Sequence, residues 1–295
     1  MMSKLKSILT LSRPANVVTA LADILAGMAL VGFQFGFKSY KIQPLALLGI
    51  ASMLFYAGGI ILNDVFDRKL DAVERPERIL PSKKMAVWEA SLLAILFFIL
   101  GICLSYLVSV VSAIIGICLV IAIFSYDYLF KKYAFLGPLN MGVCRGLNLI
   151  LGMSIYDSEI LEFGHLALLS ITYIFAVTLI SRGENKGENR WALGISWSLF
   201  LFVHLGQLHY SFKQNQMSIA APFILAHAIW LYSNLWKAMK NPQPNLIKKT
   251  VKTGVITLII FNASWVACSG NIFMACITAA LLPISLYLAK YFAVT

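Results

Sequence analysis

Three closely spaced aspartates behind a long apolar run are the residues best suited to chemistry. Asp64, Asp67 and Asp71 follow Asn63 at spacings of three and four, which put the three carboxylates on one face of a continuing helix. Carboxylates this close repel one another unless a cation lies between them. Mg²⁺ is usually held by a few carboxylates together with substrate phosphate oxygens, so the cluster predicts a magnesium–diphosphate site. The alternative is a solvated mixed-charge loop whose acids pair with nearby basic residues, namely Arg68, Lys69, Arg75 and Arg78.

A second acidic pair lies in the polar segment 181–190. Glu184 and Glu188 are four residues apart, and on a helix they would share one face as hard oxygen ligands. Gly183 and Gly187 are equally compatible with a bend or an ordinary polar loop. Because the segment is expected on the same side of the membrane as the first cluster, we favour a second ligand pair.

The composition predicts a membrane protein. Of 295 residues, 60% are hydrophobic and 13% are charged, whereas soluble proteins carry about 25% charged residues. The five cysteines lie in apolar runs without a C-x-x-C pair, so neither a zinc site nor a disulfide framework is expected. We predict an all-α polytopic transmembrane bundle of nine to ten helices that forms a single domain over residues 1–295. Its ten candidate apolar segments are 15–35, 44–63, 86–107, 109–128, 138–156, 164–181, 190–210, 217–236, 250–268 and 272–291.

The distribution of basic residues predicts the orientation. Most of the lysines and arginines lie at the N-terminus and in the loops after the second, fourth, sixth and eighth segments, which the positive-inside rule assigns to the cytoplasm. This topology accounts for the net charge of +11 without a nucleic-acid partner. Both acidic clusters then face the cytoplasm, where Mg²⁺ and soluble diphosphates are found. A transporter would more naturally place its polar groups at the membrane midplane. The expected location is the inner (cell) membrane of a bacterium.

Three of the charged residues within or at the ends of apolar segments are candidate site residues. Arg145 lies inside the fifth segment, where a charge is costly and indicates a bound anion or an aspartate partner. The alternative is an arginine that only extends to the membrane interface. Asp23, in the first segment, is equally compatible with a substrate cavity and with a contact between helices. Lys131 ends the fourth segment, where it either binds phosphate or extends to the membrane interface.

These motifs resemble those of the UbiA superfamily of intramembrane prenyltransferases. Residues 63–71 match N-D-x-x-D-x-x-x-D completely, and residues 74–83, E-R-P-E-R-I-L-P-S-K, resemble the family's R-P-L-P-S-G element. Residues 13–16, R-P-A-N, resemble the R-P-x-N entry to the first helix, and residues 126–131 resemble Y-x-x-x-x-K. The second acidic motif has glutamates in place of the usual aspartates, and a shifted alignment would instead put Ser181 and Asn185 at the ligand positions. Together with R-P-A-N-V-V-T-A-L-A-D-I-L-A-G it resembles the EboC-type subgroup.

The resemblance implies Mg²⁺-dependent transfer of an isoprenyl group from a prenyl diphosphate to an aromatic or hydroxyl acceptor, lipid-soluble or cytosolic, with release of pyrophosphate. The implied metal ligands are Asp64, Asp67, Asp71, Glu184 and Glu188. The implied catalytic residues are Asp64, Asp67, Lys131 and Arg145. The implied substrate-binding residues are Asn16, Asp23, Asn63, Arg78, Tyr126, Lys131, Arg145 and Asn148. The alternative is a UbiA-like protein that binds or exports a prenyl lipid with weak or no transferase activity, because the second motif lacks aspartate.

Overall fold

The chain folds as a bundle of helices. The computed structural model describes residues 4–33, 42–183, 187 and 190–292, which contain helices and no strand. The α-helices in chain order are α1 Lys4–Ser12, α2 Pro14–Leu30, α3 Ile42–Glu74, α4 Val87–Tyr106, α5 Val110–Ser125, α6 Leu136–Met153, α7 Ile160–Phe163, α8 Ala167–Ser181, α9 Arg190–Lys213, α10 Met217–Lys240, α11 Pro244–Ile256, α12 Leu258–Cys268 and α13 Ile272–Tyr291. A short π-helical turn, Tyr126–Phe130, follows α5.

The predicted all-α transmembrane class is confirmed. Within the described residues, eight helical segments are long and apolar enough to cross a membrane, and nine if α1 and α2, bent by 53° at Arg13, form one span. Helix α6 is not among these eight or nine, yet it lies where the segment 138–156 is predicted. Each of the ten predicted apolar segments therefore coincides with a helix or a pair of consecutive helices.

Helix α3 continues well beyond its apolar part. It runs without a break to Glu74, because the residues after Leu62 include neither proline nor glycine until Pro76, whose preceding residue is disfavoured in a helix. Asp64 and Asp71 are buried and Asp67 is partly buried. The acidic face of this helix therefore points into the protein, as the spacing predicts. The segment is a helix and not a solvated loop, although Arg78 pairs with two of its acids, as that alternative expected.

Hydrogen bonds connect the polar loops at one end of the bundle. Arg182, after α8, donates from Nη1 to the Lys131 carbonyl oxygen at 2.9 Å, which joins the segment after α8 to the segment after the π-helical turn. At the other end, Ser109 donates to Asp157 at 3.3 Å. These two contacts separate four of the loops onto two ends, in the alternating order that the sequence predicts.

Glycines bring α6 into close contact with its neighbours. A Cβ atom on Gly152 would lie 2.5 Å from the Ile24 carbonyl oxygen in α2, and one on Gly142 would lie 2.5 Å from the Ile171 carbonyl oxygen in α8. Side chains at these positions would force the backbones apart. Helix α6 is therefore held tightly between α2 and α8, which fixes the positions of the polar residues that it carries.

We expect Gly152→Ala to destabilise the protein by about 1–3 kcal/mol, the usual cost of overpacking a filled interior. The added methyl group meets backbone that cannot move independently of α2. Gly194→Ala, in α9, is the matched control, because no atom lies within 4 Å of its new Cβ. Thermal unfolding of both variants in detergent tests the contact. Equal melting temperatures for the two variants would show that α2 and α6 are not closely packed.

Candidate functional site

A cavity of about 430 Å³ lies between α2, α3, α5, α6, α8 and α11. Its lining is divided between charged and apolar side chains. The charged residues of the lining are Arg13, Asp67, Asp71, Glu74, Arg75, Arg78, Asp127, Lys131 and Arg145. Its larger apolar residues include Phe55, Ile60, Leu119, Ile123, Met141, Ile174, Val177, Val255 and Leu258. The cavity can therefore accommodate a molecule with a charged head and an apolar tail.

Two arginines hold the aspartates at the two ends of the acidic cluster. Arg13 donates from Nη2 to Asp64 Oδ1 at 2.6 Å, and Arg78 Nη1 lies 3.4 Å from the same oxygen. Arg78 Nη1 also lies 2.9 and 2.8 Å from the two carboxylate oxygens of Asp71. Asp71 lines the cavity, whereas Asp64 is not among the described residues of its lining. Arg78 therefore bridges two carboxylates at the cavity mouth.

The remaining aspartate of the cluster contacts the end of α5. Lys131 forms an ion pair with Asp67, and both residues line the cavity. Asn63, one turn before Asp67, donates from Nδ2 to Asp127 Oδ1 at 2.5 Å. Asn63, Asp67, Asp127 and Lys131 thus meet at one wall of the cavity, with Tyr126 also in its lining.

Asp127 is a site residue that the sequence analysis did not identify. The Lys131 amide donates to the Tyr126 carbonyl oxygen at 2.9 Å, an i to i+5 hydrogen bond that is characteristic of a π-helical turn. Asp127 lies within this turn and Lys131 directly follows it, and both residues line the cavity. The available signal was an isolated acid, four residues before Lys131, at the end of an apolar segment. Arg13 was also missed as a site residue, although it begins the R-P-A-N motif.

A second polar group lies deeper, where α2, α3, α6 and α12 meet. Arg145 donates from Nη1 to Asp23 Oδ2 at 2.6 Å. Of the two partners that the sequence allowed for Arg145, a bound anion or an aspartate, the structure shows the aspartate. Asn148 donates to the same oxygen at 2.9 Å, and Asn262 donates to Asp23 Oδ1 at 2.6 Å. Arg145 and Asn148 line the cavity, whereas Asp23 is not among its described lining residues. Asp23 therefore joins helices and holds Arg145 in position.

Of the three remaining predicted residues, one lines the cavity and two lie outside the described residues. Asn16 is buried on α2 and lines the cavity. Glu184 and Glu188 lie outside the described residues, although Ser181, three residues before Glu184, lines the cavity.

The donor chemistry at the mouth fits a magnesium–diphosphate complex. Among the residues described by the structure, no three His, Cys, Asp or Glu side chains converge as a preformed metal site. Asp67 and Asp71, however, line the same cavity as Asp127 and supply the hard oxygens that Mg²⁺ prefers. Arg78 and Lys131, now paired with these acids, are suited to phosphate oxygens. The arrangement can therefore exchange its internal ion pairs for contacts with a diphosphate and its cation.

A comparison with known protein families identifies the family of this chain. The model of the UbiA prenyltransferase family matches residues 20–190, more than half of the chain. The chain belongs to the UbiA prenyltransferase family. With its eight or nine candidate spans, this UbiA-family chain is an integral membrane protein. Its assignment to the EboC-type subgroup stays a prediction.

Curated relatives of this UbiA-family chain include archaeal enzymes. It is 31% identical over 179 residues to the digeranylgeranylglyceryl phosphate synthase of Saccharolobus solfataricus, with 60% of each chain covered. It is 29% identical over 192 residues to the protein of the same name from Methanocaldococcus jannaschii, with 64% of this chain and 65% of the relative covered. The matched region thus spans less than two thirds of either relative.

Solved structures show the same fold. A UbiA homologue from Archaeoglobus fulgidus, bound to GPP and Mg²⁺, superposes with a TM-score of 0.67 at 19% identity, covering 90% of this chain and 99% of the homologue. The family match and this superposition agree on a UbiA-type helical bundle.

We expect the Arg78–Asp71 ion pair to be energetically coupled. Both side chains are largely buried, so a double-mutant cycle with Arg78→Ala and Asp71→Ala should give an interaction energy of about 0.5–3 kcal/mol, the range for residues in contact. Chemical unfolding in detergent measures it. The matched control is the Lys4–Glu89 pair at 3.1 Å, whose lysine side chain is 87% exposed and whose coupling should be undetectable. Additive effects in both cycles would contradict a bridging role for Arg78.

Proposed function

We propose that the chain is a Mg²⁺-dependent intramembrane prenyltransferase that moves an isoprenyl group from a prenyl diphosphate to a hydroxyl acceptor. The observation that carries the proposal is the divided lining of the cavity, with paired cations and carboxylates at its mouth and apolar side chains beyond them. A prenyl diphosphate has the same division, with a diphosphate head and an apolar tail. The A. fulgidus homologue bound to GPP and Mg²⁺ supports this choice of donor.

The diphosphate binds at the cavity mouth in this proposal. Arg78 and Lys131 leave their aspartate partners and donate to phosphate oxygens, with Arg13 beside them. The carboxylates that are released hold Mg²⁺, which when bound neutralises charge on the diphosphate. The proposed ligands are Asp64, Asp67, Asp71, Glu184 and Glu188 from the two acidic motifs, together with Asp127. Asn16, Asn63 and Tyr126 orient the head group from the same lining.

Transfer then follows from the stabilisation of the leaving group. The C1–O bond of the donor breaks, and its electron pair remains on the pyrophosphate oxygen, where Arg78 and Lys131 stabilise the developing charge. The apolar residues of α8 and α11 that line the cavity, such as Val177 and Val255, exclude water from the allylic centre. The oxygen of the acceptor hydroxyl bonds to C1, and its proton goes to the released pyrophosphate.

The relatives support a hydroxyl acceptor rather than an aromatic one. The curated relatives are named digeranylgeranylglyceryl phosphate synthases, which indicates prenyl transfer to a glyceryl group. An ether bond to oxygen is therefore proposed as the product.

The polar end of the bundle faces the cytoplasm in this proposal, as the basic loops indicate. The named relatives are archaeal, and they do not support the assignment to a bacterial inner membrane.

We expect Asp67→Asn to lower Mg²⁺-dependent release of pyrophosphate by about 100-fold or more, the scale for removing one charge-stabilising group from an active site. The assay uses purified protein in nanodiscs, geranylgeranyl diphosphate and a cell lipid extract as the source of acceptor. Asp157→Asn is the matched control, because Asp157 lies at the opposite end of the bundle. Release of pyrophosphate by the Asp67→Asn variant at the wild-type rate would contradict the proposed site.

The same assay tests the alternative function. If the wild-type protein binds the donor in a Mg²⁺-dependent manner but releases no pyrophosphate, a protein that binds or exports prenyl lipids is favoured.

A further inference from the structure

A polar cluster lies along α2 beyond the arginines of the cavity mouth. We define it as Asp23, Arg145, Asn148 and Asn262, with Thr19 and Tyr56 against the Arg145 guanidinium. Thr19 accepts from Arg145 Nη2 at 2.8 Å and lies six positions after Arg13, a rise of about 9 Å along α2. A diphosphate beside Arg13 and Arg78 would place its C1 carbon between the mouth and this cluster.

The deep cluster is costly to bury, and the close contact between α2 and α6 does not require it. An ion pair at membrane depth is expensive, and an apolar replacement of similar shape is often equally stable. Close contact between α2 and α6 already comes from Gly27 and Gly152. Retaining charged groups at a cavity wall therefore indicates a polar ligand there.

The charges within the deep cluster define the type of ligand. Asp23 accepts from Arg145 and Asn148 at one oxygen and from Asn262 at the other, so its carboxylate is occupied and the pair with Arg145 is neutral overall. A second anion would face the Asp23 charge in a medium of low dielectric, where repulsion is strong. An uncharged ligand avoids this repulsion.

The hydrogen-bonding groups of Arg145 also favour an oxygen-bearing ligand. A guanidinium carries five N–H donors, of which two donate to Asp23 and Thr19 and a third interacts with the Tyr56 hydroxyl. The Tyr56 ring packs against it, with 4.5 Å between Arg145 Cζ and the ring centroid. Arg145 and Tyr56 both line the cavity, so the remaining donors are available to hydroxyl or ether oxygens.

We propose that the deep cluster is the subsite for an uncharged, hydroxyl-bearing head group of the acceptor. This inference rests on the proposed prenyl transfer and specifies its second substrate. Arg145 binds the acceptor oxygens and Asp23 positions Arg145, so that a neighbouring hydroxyl meets C1 from beneath the diphosphate. The apolar wall of α8 and α11 remains for the prenyl tail.

The test compares two acceptor probes that differ by one phosphate group, geranylgeranylglycerol and its phosphate ester. Their dissociation constants are measured by calorimetry in detergent, with Mg²⁺ and the unreactive donor analogue geranylgeranyl thiodiphosphate bound. The variant is Arg145→Lys, which keeps a positive charge beside Asp23 but loses the planar donor group. Arg68→Lys is the matched control, because Arg68 is exposed and outside the cavity lining.

We expect the wild type to bind the uncharged probe at least tenfold more tightly than the phosphate ester. Arg145→Lys should weaken binding of the uncharged probe about tenfold and leave donor binding unchanged, and Arg68→Lys should change neither. The inference is overturned if the phosphate ester binds as tightly or more tightly, if the uncharged probe does not bind, or if Arg145→Lys weakens donor and acceptor binding equally. The wild-type comparison tests the preference for an uncharged head group even if the variant does not fold.

The donor analogue separates this inference from the proposed function. If the thiodiphosphate fails to bind to the wild type with Mg²⁺, the proposed prenyl transfer is wrong. If it binds and the two acceptor probes are not distinguished, only the deep subsite is wrong.

Discussion

The pairing of carboxylates with cations at the mouth of the cavity is the constraint on which the rest of the structure depends. Several acids brought together on partly buried helix faces are unfavourable without compensating positive charge. Arg13 and Arg78 supply it for Asp64 and Asp71, and Lys131 supplies it for Asp67. The same groups are those that a diphosphate and a magnesium ion would use. The ion pairs that stabilise the site without substrate therefore hold the same side chains where a diphosphate and a magnesium ion would bind.

The helices have the lengths and irregularities that this pairing requires. Helix α3 extends beyond its apolar part, so that Asp64 contacts Arg13 just before α2 and Asp67 contacts Lys131 just after the π-helical turn. Helix α6 is held between α2 and α8 by close glycine contacts, so that Arg145 reaches Asp23. The polar residues at the mouth of the cavity thus depend on the extension of α3 and on the π-helical turn, and the deep polar residues depend on the glycine contacts of α6.

Much of this arrangement could be predicted because its causes are local in the chain. Apolar length predicts the helices, and the spacing of Asp64, Asp67 and Asp71 predicts a common face on α3. The partner of Arg145 stayed open because Asp23 is more than a hundred residues away, and no local pattern distinguishes an aspartate from a bound anion. Asp127 was missed because its position depends on the π-helical turn, which hydrophobic periodicity does not reveal. The chemistry near α3 was thus more predictable than the deep cluster.

The most direct test of the central claim is an experimental structure of the protein with Mg²⁺ and geranylgeranyl thiodiphosphate bound in a lipid nanodisc. The account predicts that the diphosphate lies at the cavity mouth, with Lys131 and Arg78 on its oxygens instead of on Asp67 and Asp71, and the prenyl tail against α8 and α11. A diphosphate bound elsewhere, with the Lys131–Asp67 and Arg78–Asp71 pairs intact, would contradict it.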